Sequence, residues 1–217
     1  MAEAFRIHAS SPPQVWCAIP TMLITDYMTN IIRNPEWDPI KFEPREEWFE
    51  ILAQPIQRIR AICLNPPDPF HPNTWVLLLS TSEVGMTSIR LECQPSHHRR
   101  TTVILQGSKA KILFQKIPDL ELTPPGMSAV FVLNVNPGFT VRDIHRMIVR
   151  NNRHKYEIDE EGWNNRTWVY DQIDLFNEHG VFANQDEVEQ VKDAFQIRWP
   201  GWGPDPLSGG STMGEIR

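Results

Sequence analysis

The sequence predicts an α+β fold in which an antiparallel sheet of five to six strands packs against two to three C-terminal helices. Three observations predict it. Between residues 56 and 135 the apolar residues recur with period two or in short continuous runs, as strands require. These segments follow one another through mostly short, turn-rich connections, so successive strands are expected to pair antiparallel. After residue 140 the apolar spacing changes to three and four, the period of a helix buried along one stripe.

Residues 1–45 mix apolar pieces with the proline steps Pro12-Pro13, Asn34-Pro35 and Asp38-Pro39. They read as an irregular N-terminal extension wrapping the core, within one domain of residues 1–200. Residues 44–54 begin with Pro44, carry Glu46 and Glu47 in the first turn and space Trp48, Ile51 and Leu52 helically, which predicts a short helix. Residues 56–64 set Ile59, Ala61 and Cys63 against Arg58, Arg60 and Ile62, a strand with one wetter face. After a proline-rich loop, residues 74–79 (Thr-Trp-Val-Leu-Leu-Leu) are apolar on both faces, which places that strand at the centre of the sheet. Residues 87–93 alternate Ile89, Leu91 and Cys93 with Arg90 and Glu92, a half-buried strand reached through Gly85. Further strands are expected at 101–105, 111–114 and 129–135, the last read as doubly buried because Val130 and Val132 alternate with Phe131 and Leu133.

The helical part opens with Thr140 and Asp143 in a capping-box-like arrangement. Val141, Ile144, Met147 and Ile148 form its apolar stripe, Arg142, Arg146 and Arg150 face water, and it ends near Asn151 and Asn152. A short segment, 155–158, leads through Gly162 to a second helix over 165–179, with Trp168, Val169, Ile173 and Phe176 inward and Gly180 as its stop. A third amphipathic segment covers 186–197, and the Gly-, Pro- and Ser-rich residues 201–217 read as a flexible tail.

Charge and composition narrow the function. The net charge is −6 and the basic residues are scattered apart from His97-His98-Arg99-Arg100, so the footprint of a nucleic-acid binder is missing and no nucleic-acid partner is expected. That cluster reads as a solvated hairpin tip, and Asp159-Glu160-Glu161 as a solvated loop. No apolar run approaches the roughly 18 residues of a membrane span. The N-terminus lacks a basic stretch followed by an apolar one, so no secretory signal is expected. Cys17, Cys63 and Cys93 are odd in number and widely spaced, which suits buried thiols in a reducing, cytoplasmic setting rather than a disulfide framework or a zinc site. The seven histidines lack metal-ligand spacing and no phosphate-binding glycine loop occurs, so no cofactor and no metal are expected.

Three stretches carry a resemblance: Asn73-Thr74-Trp75-Val76-Leu77-Leu78-Leu79, then Ser88-Ile89-Arg90-Leu91, then Asn164-Asn165-Arg166-Thr167-Trp168-Val169, with Tyr156-Glu157-Ile158 ahead of the last. In this order they resemble the permuted papain-like proteins, the lecithin retinol acyltransferase and NlpC-type group. There a strand opens with His, a second strand carries another polar residue, and a later helix opens with Asn-Cys. Over roughly residues 56–182 the chain is also similar to a group of fungal proteins with the same strand-then-helix layout. The resemblance implies a permuted papain-like fold, with Thr74 at the place of the general-base His, Arg90 at the second polar position and Asn165 at that of the nucleophilic Cys.

A threonine hydroxyl is no base and an asparagine amide no nucleophile near neutral pH, so thiol catalysis is excluded at this site. His71, between Phe70 and Pro72, reads as a solvated loop residue. What remains is a set of donors: the permanently charged Arg90, the Thr74 hydroxyl, and Asn164 and Asn165 at a helix N-terminus. With Trp75, Glu92, Tyr156, Trp163 and Trp168 as a substrate-binding surround, such a set binds a carboxylate or polarises a carbonyl. Each has a plain counterpart: an Arg90–Glu92 strand ion pair, an asparagine N-cap, and tryptophans that only fill a core.

Two functions are expected from this. One is a cofactor-independent enzyme of fungal secondary metabolism, a cyclase or isomerase that includes pericyclases of the Diels–Alder type, acting on an apolar small-molecule substrate. The other is a pseudoenzyme that serves as a binding or interaction module. An enclosed pocket between Thr74, Arg90 and Asn165 favours the first, and a site filled by Trp75 and Trp168 the second. A third reading, a displaced thiol hydrolase using Cys17, Cys63 or Cys93, requires an accessible thiol.

Overall fold

The computed structural model describes residues 39–66, 72–81, 87–95, 108–118, 126–158, 165–201, 203–205 and 207. All of them belong to the unit Asp38–Arg217. The main sheet is built from β1 (Ile40–Glu43), β2 (Arg58–Leu64), β3 (Thr74–Ser80), β4 (Thr87–Pro95), β5 (Ser108–Pro118) and β6 (Met127–Asn134) in the order β1-β5-β4-β3-β2-β6. A two-residue strand, β7 (Glu157–Ile158), pairs with the start of β5, and β8 (Ile197–Arg198) and β9 (Gly203–Pro204) form a separate hairpin.

Strands β2 to β5 pair with their sequence neighbours antiparallel, as their patterns predict. Strand β1 corrects the expected all-antiparallel sheet to a mixed one, because it runs parallel to β5 with Ile40 opposite Ile112. It forms within a stretch whose sequence reads as irregular. Its partner lies some seventy positions along the chain, and a pairing of that range leaves no local periodicity to read. A second correction concerns β6. Its pattern predicts burial on both faces, yet Val130 and Val132 are exposed. The strand lies at the edge beyond β2, so one face packs on helices while the other reaches solvent. The expected strand at 101–105 falls outside the described residues.

Four helices cover one face. A 3-10 turn (Arg45–Glu47) runs into α1 (Trp48–Ala53), and α2 (Val141–Arg150), α3 (Asn165–Glu178) and α4 (Gln185–Ala194) follow the sheet. The three C-terminal helices stand within a few residues of where the sequence places them, and α1 adds a fourth from the N-terminal side. Thr140 and Asp143 form the predicted capping box, the Asp143 carboxylate accepting from both the Thr140 backbone N–H (2.9 Å) and its hydroxyl (2.7 Å). Gly180 stops α3 with φ of 70°, a conformation that L side chains adopt at a cost.

The strand alternation divides the sheet into two unequal faces. Ile59, Ala61, Cys63, Trp75, Leu77, Leu79, Ile89, Leu91, Cys93, Ile112 and Phe114 join the apolar stripes of all four helices in one continuous core. At about 1.5–3 kcal/mol for each large apolar side chain removed from water, this layer is the main stabilising term. The opposite face carries a smaller cluster of Ile62, Val76, Leu78 and Ile117, to which no helix among the described residues contributes. No helix among the described residues is long and apolar enough to cross a membrane.

Candidate functional site

The junction of β3, β4 and α3 gathers most of the residues singled out in the sequence. Strands β3 and β4 pair from Ser80↔Ser88 to Leu77↔Leu91. Two residues further, the same register would set Trp75 against Cys93. There the side chain of Asn165 stands in for the ladder: its Oδ1 accepts from the Trp75 backbone N–H at 2.8 Å and its Nδ2 donates to the Cys93 carbonyl at 2.7 Å. Asn165 is buried, so both backbone groups would otherwise lack water as well as a partner. The amide bridges strand to strand and anchors the first residue of α3 on the sheet, which is a different task from capping its own helix.

The structure splits the expected site residues between the two faces. Trp75 and Trp168 are both fully buried on the helical face. The Trp75 ring lies 4.2 Å from that of Phe195, and the Trp168 indole N–H donates to the Arg153 carbonyl at 3.0 Å. Tyr156 is buried beside β5, where its carbonyl accepts from the Ala110 N–H. Thr74, Arg90 and Glu92 have the opposite strand parity and face the other side of the sheet, away from α3. The structure therefore joins Asn165 to the peptide between Thr74 and Trp75, and Arg90 to Glu92, but does not bring Thr74, Arg90 and Asn165 to one point. Trp163, Asn164, His71, Cys17, His97, His98 and the acidic run 159–161 lie outside the described residues.

The thiols on either side of Trp75 are unsuited to nucleophilic work. Cys63 is the cross-strand partner of Trp75 on β2. Burial pushes its thiol up to about 12, against a smaller opposing pull from the nearby Arg166 guanidinium. Burial also holds Cys93 well above the ordinary thiol range, and the Glu92 carboxylate adds to the effect. A thiol that stays protonated is neither a nucleophile nor a metal ligand. Among the described residues no group of three or more His, Cys, Asp or Glu is arranged to hold a metal ion.

On the second face, Arg90 Nη2 lies 2.8 Å from Glu92 Oε2. The angles are not those of a hydrogen bond, and Arg90 Nε, shielded from solvent, also has no hydrogen-bond partner. The neighbouring β2 residue Arg60 donates to Ser80 Oγ at 2.9 Å. Arg60 and Arg90 flank Leu78 in one row across the sheet. Two guanidinium groups and one carboxylate thus stand on an apolar floor of Ile62, Val76 and Leu78.

A third group of residues carries no signal in the sequence. Asn73, just ahead of β3 and buried, turns its amide onto the main chain of Trp199: Nδ2 donates to the Trp199 carbonyl at 3.1 Å and to Leu64 O at 3.0 Å, and Oδ1 accepts from the Trp199 N–H at 2.9 Å. Next to Asn165, the buried Arg166 pairs with Asp205 at 2.9 Å. The helix expected to reach 197 ends at Ala194, and Trp199 and Asp205 beyond it have partners, while most of 201–217 lies outside the described residues. The Gly and Pro content of this segment points to a tail, and nothing local reveals partners more than a hundred positions earlier for Trp199 and about forty for Asp205.

A mixed sheet with helices over one face, an asparagine bridging β3 and β4 and a C-terminal segment tied to Asn73 and Arg166 define an α+β domain. Residues 60–211 match the family model described as Domain of unknown function (DUF7770), and the chain belongs to that family. No curated protein and no solved structure matches the chain.

Proposed function

We propose that the chain works as a binding or interaction module, with a permuted papain-like layout from which thiol turnover is gone. One observation carries this reading: both ends of the Asn165 amide are engaged by backbone groups of Trp75 and Cys93, while Trp75 and Trp168 fill the surrounding space. A side chain bound in this way has no reacting atom to offer, and the buried thiols stay protonated. The direct test is acyl transfer with a p-nitrophenyl ester. The expected result is hydrolysis no faster than that of denatured protein. A burst or turnover that disappears in Asn165→Ala would sink the reading.

The Arg90–Glu92 pair favours a second reading, a cofactor-independent cyclase or isomerase of small-molecule metabolism. Arg90 is able to polarise a carbonyl and Glu92 to accept a proton beside it, over the apolar floor of Val76 and Leu78. Native mass spectrometry of the chain isolated from its host separates the two. A co-purifying small molecule that the wild type converts to an isomer, read by chromatography or NMR of the released ligand, and that Arg90→Ala leaves unchanged would replace binding by catalysis.

A further inference from the structure

The contacts of the C-terminal segment are those of a bound peptide. Asn73 meets both the N–H and the C=O of Trp199, so its amide holds main chain rather than side chain. The Trp199 ring stands edge-on to Phe131 at 5.6 Å, and its indole N–H donates to the Ala194 carbonyl at 3.0 Å. Six residues on, the Asp205 carboxylate meets the buried Arg166 at 2.9 Å, a cation whose burial favours an anion beside it. Flanking these contacts, Ile197 pairs with Pro204 and the Asp205 N–H donates to the Gln196 carbonyl at 2.8 Å.

We propose that the groove bounded by Asn73, Phe131 and Arg166 is a peptide-binding site that the chain's own C-terminal segment occupies through Trp199 and Asp205. Its partner in trans is a peptide of the same chemistry, with a tryptophan at the Asn73 contact and a carboxylate about six residues later. The proposal rests on the reading of the chain as a binding module and names the surface that binds. A tethered segment competes at an effective concentration of about a millimolar, so the intact chain is closed to weak peptides and opens to one that outcompetes it or when the Asp205 contact is lost.

The probe is a fluorescent synthetic peptide with the sequence of residues 195–207, added to the full-length chain. Asp205→Ala weakens the tethered segment, and the expected result is peptide binding roughly ten-fold or more tighter than to wild type. Binding should vanish for a peptide whose aspartate is replaced by alanine, and in the double variant Arg166→Ala, Asp205→Ala. Equal affinity of wild type and a folded Asp205→Ala overturns the proposal. Native-state hydrogen exchange on the wild type tests the same groove without any variant. The amides of Trp199 and Asp205 should exchange through a local opening, well before those of Leu77 and Leu91. If all four exchange together, only through global unfolding, the segment is core and the proposal falls. These outcomes leave the ester test untouched, so the failure of the groove is distinguishable from that of the non-catalytic reading.

Discussion

At the scale of single residues, Asn165 shows how two hydrogen bonds commit one side chain to a structural task. Its amide satisfies a donor on β3 and an acceptor on β4 at once, in a place that water does not reach. Asn165→Ala would orphan both. At about 1–3 kcal/mol for each unsatisfied buried group, the expected loss is about 2–6 kcal/mol, read as a lower midpoint in urea with an unchanged slope. Asn165→Asp adds a diagnostic. A carboxylate still accepts from Trp75 but opposes the Cys93 carbonyl, whereas the protonated acid donates to it. Its folded-state pKa is therefore raised, and the variant should gain stability relative to wild type as pH falls through the carboxylate range. An Asn165→Ala chain as stable as wild type would mean that the bridge is idle.

Secondary-structure elements are held in place mainly by their ends. Helix α2 begins where Thr140 and Asp143 close on each other, and the carboxylate also faces the positive end of the helix dipole. Asp143→Ala should cost about 1 kcal/mol, with Asp143→Asn recovering part of it, as measured by thermal or urea unfolding. The exposed edge of β6 is tied in a similar way. Glu187, in the first turn of α4, accepts from the backbone N–H of Asn134 at 2.7 Å and from its side-chain amide at 2.6 Å. A carboxylate placed there covers a strand donor that would otherwise be open to another chain.

Across the whole molecule, the two described thiols link stability to alkaline pH. The unfolded chain releases their protons near pH 8.5 to 9, whereas the folded chain holds the Cys63 proton to about 12 and the Cys93 proton well above the ordinary range. Above the unfolded value the folded state binds more protons, so stability is intact below that pH and falls as pH rises. The slope should be about 1.4 kcal/mol per pH unit for each thiol. Urea unfolding between pH 8 and 11 measures it, and Cys63→Ala should remove its share of the slope while lowering the plateau through the cavity it leaves. Iodoacetamide should leave Cys63 and Cys93 unmodified in the native chain. Rapid labelling of either would return the thiol-hydrolase reading to consideration.

The sequence by itself determined whatever depends on near neighbours. Period-two alternation marked β2 and β4, a continuous apolar run marked β3, and the 3.6-residue stripe, Thr140 with Asp143, and Gly180 bounded α2 and α3, because side-chain direction and end-capping act within a few positions. It also supplied a threonine and an asparagine where the resemblance expects a base and a nucleophile. Only the tertiary structure decided which face each polar residue serves. It placed Arg90 and Glu92 away from α3, spread β1 and β6 to opposite edges of a mixed sheet, gave Asn165 to two backbone groups, and brought Trp199 to Asn73 across 126 positions. The physical reason is that a hydrogen bond or ion pair between distant segments depends on where the chain returns, and that return is fixed by the packing of the whole core rather than by any short stretch of residues.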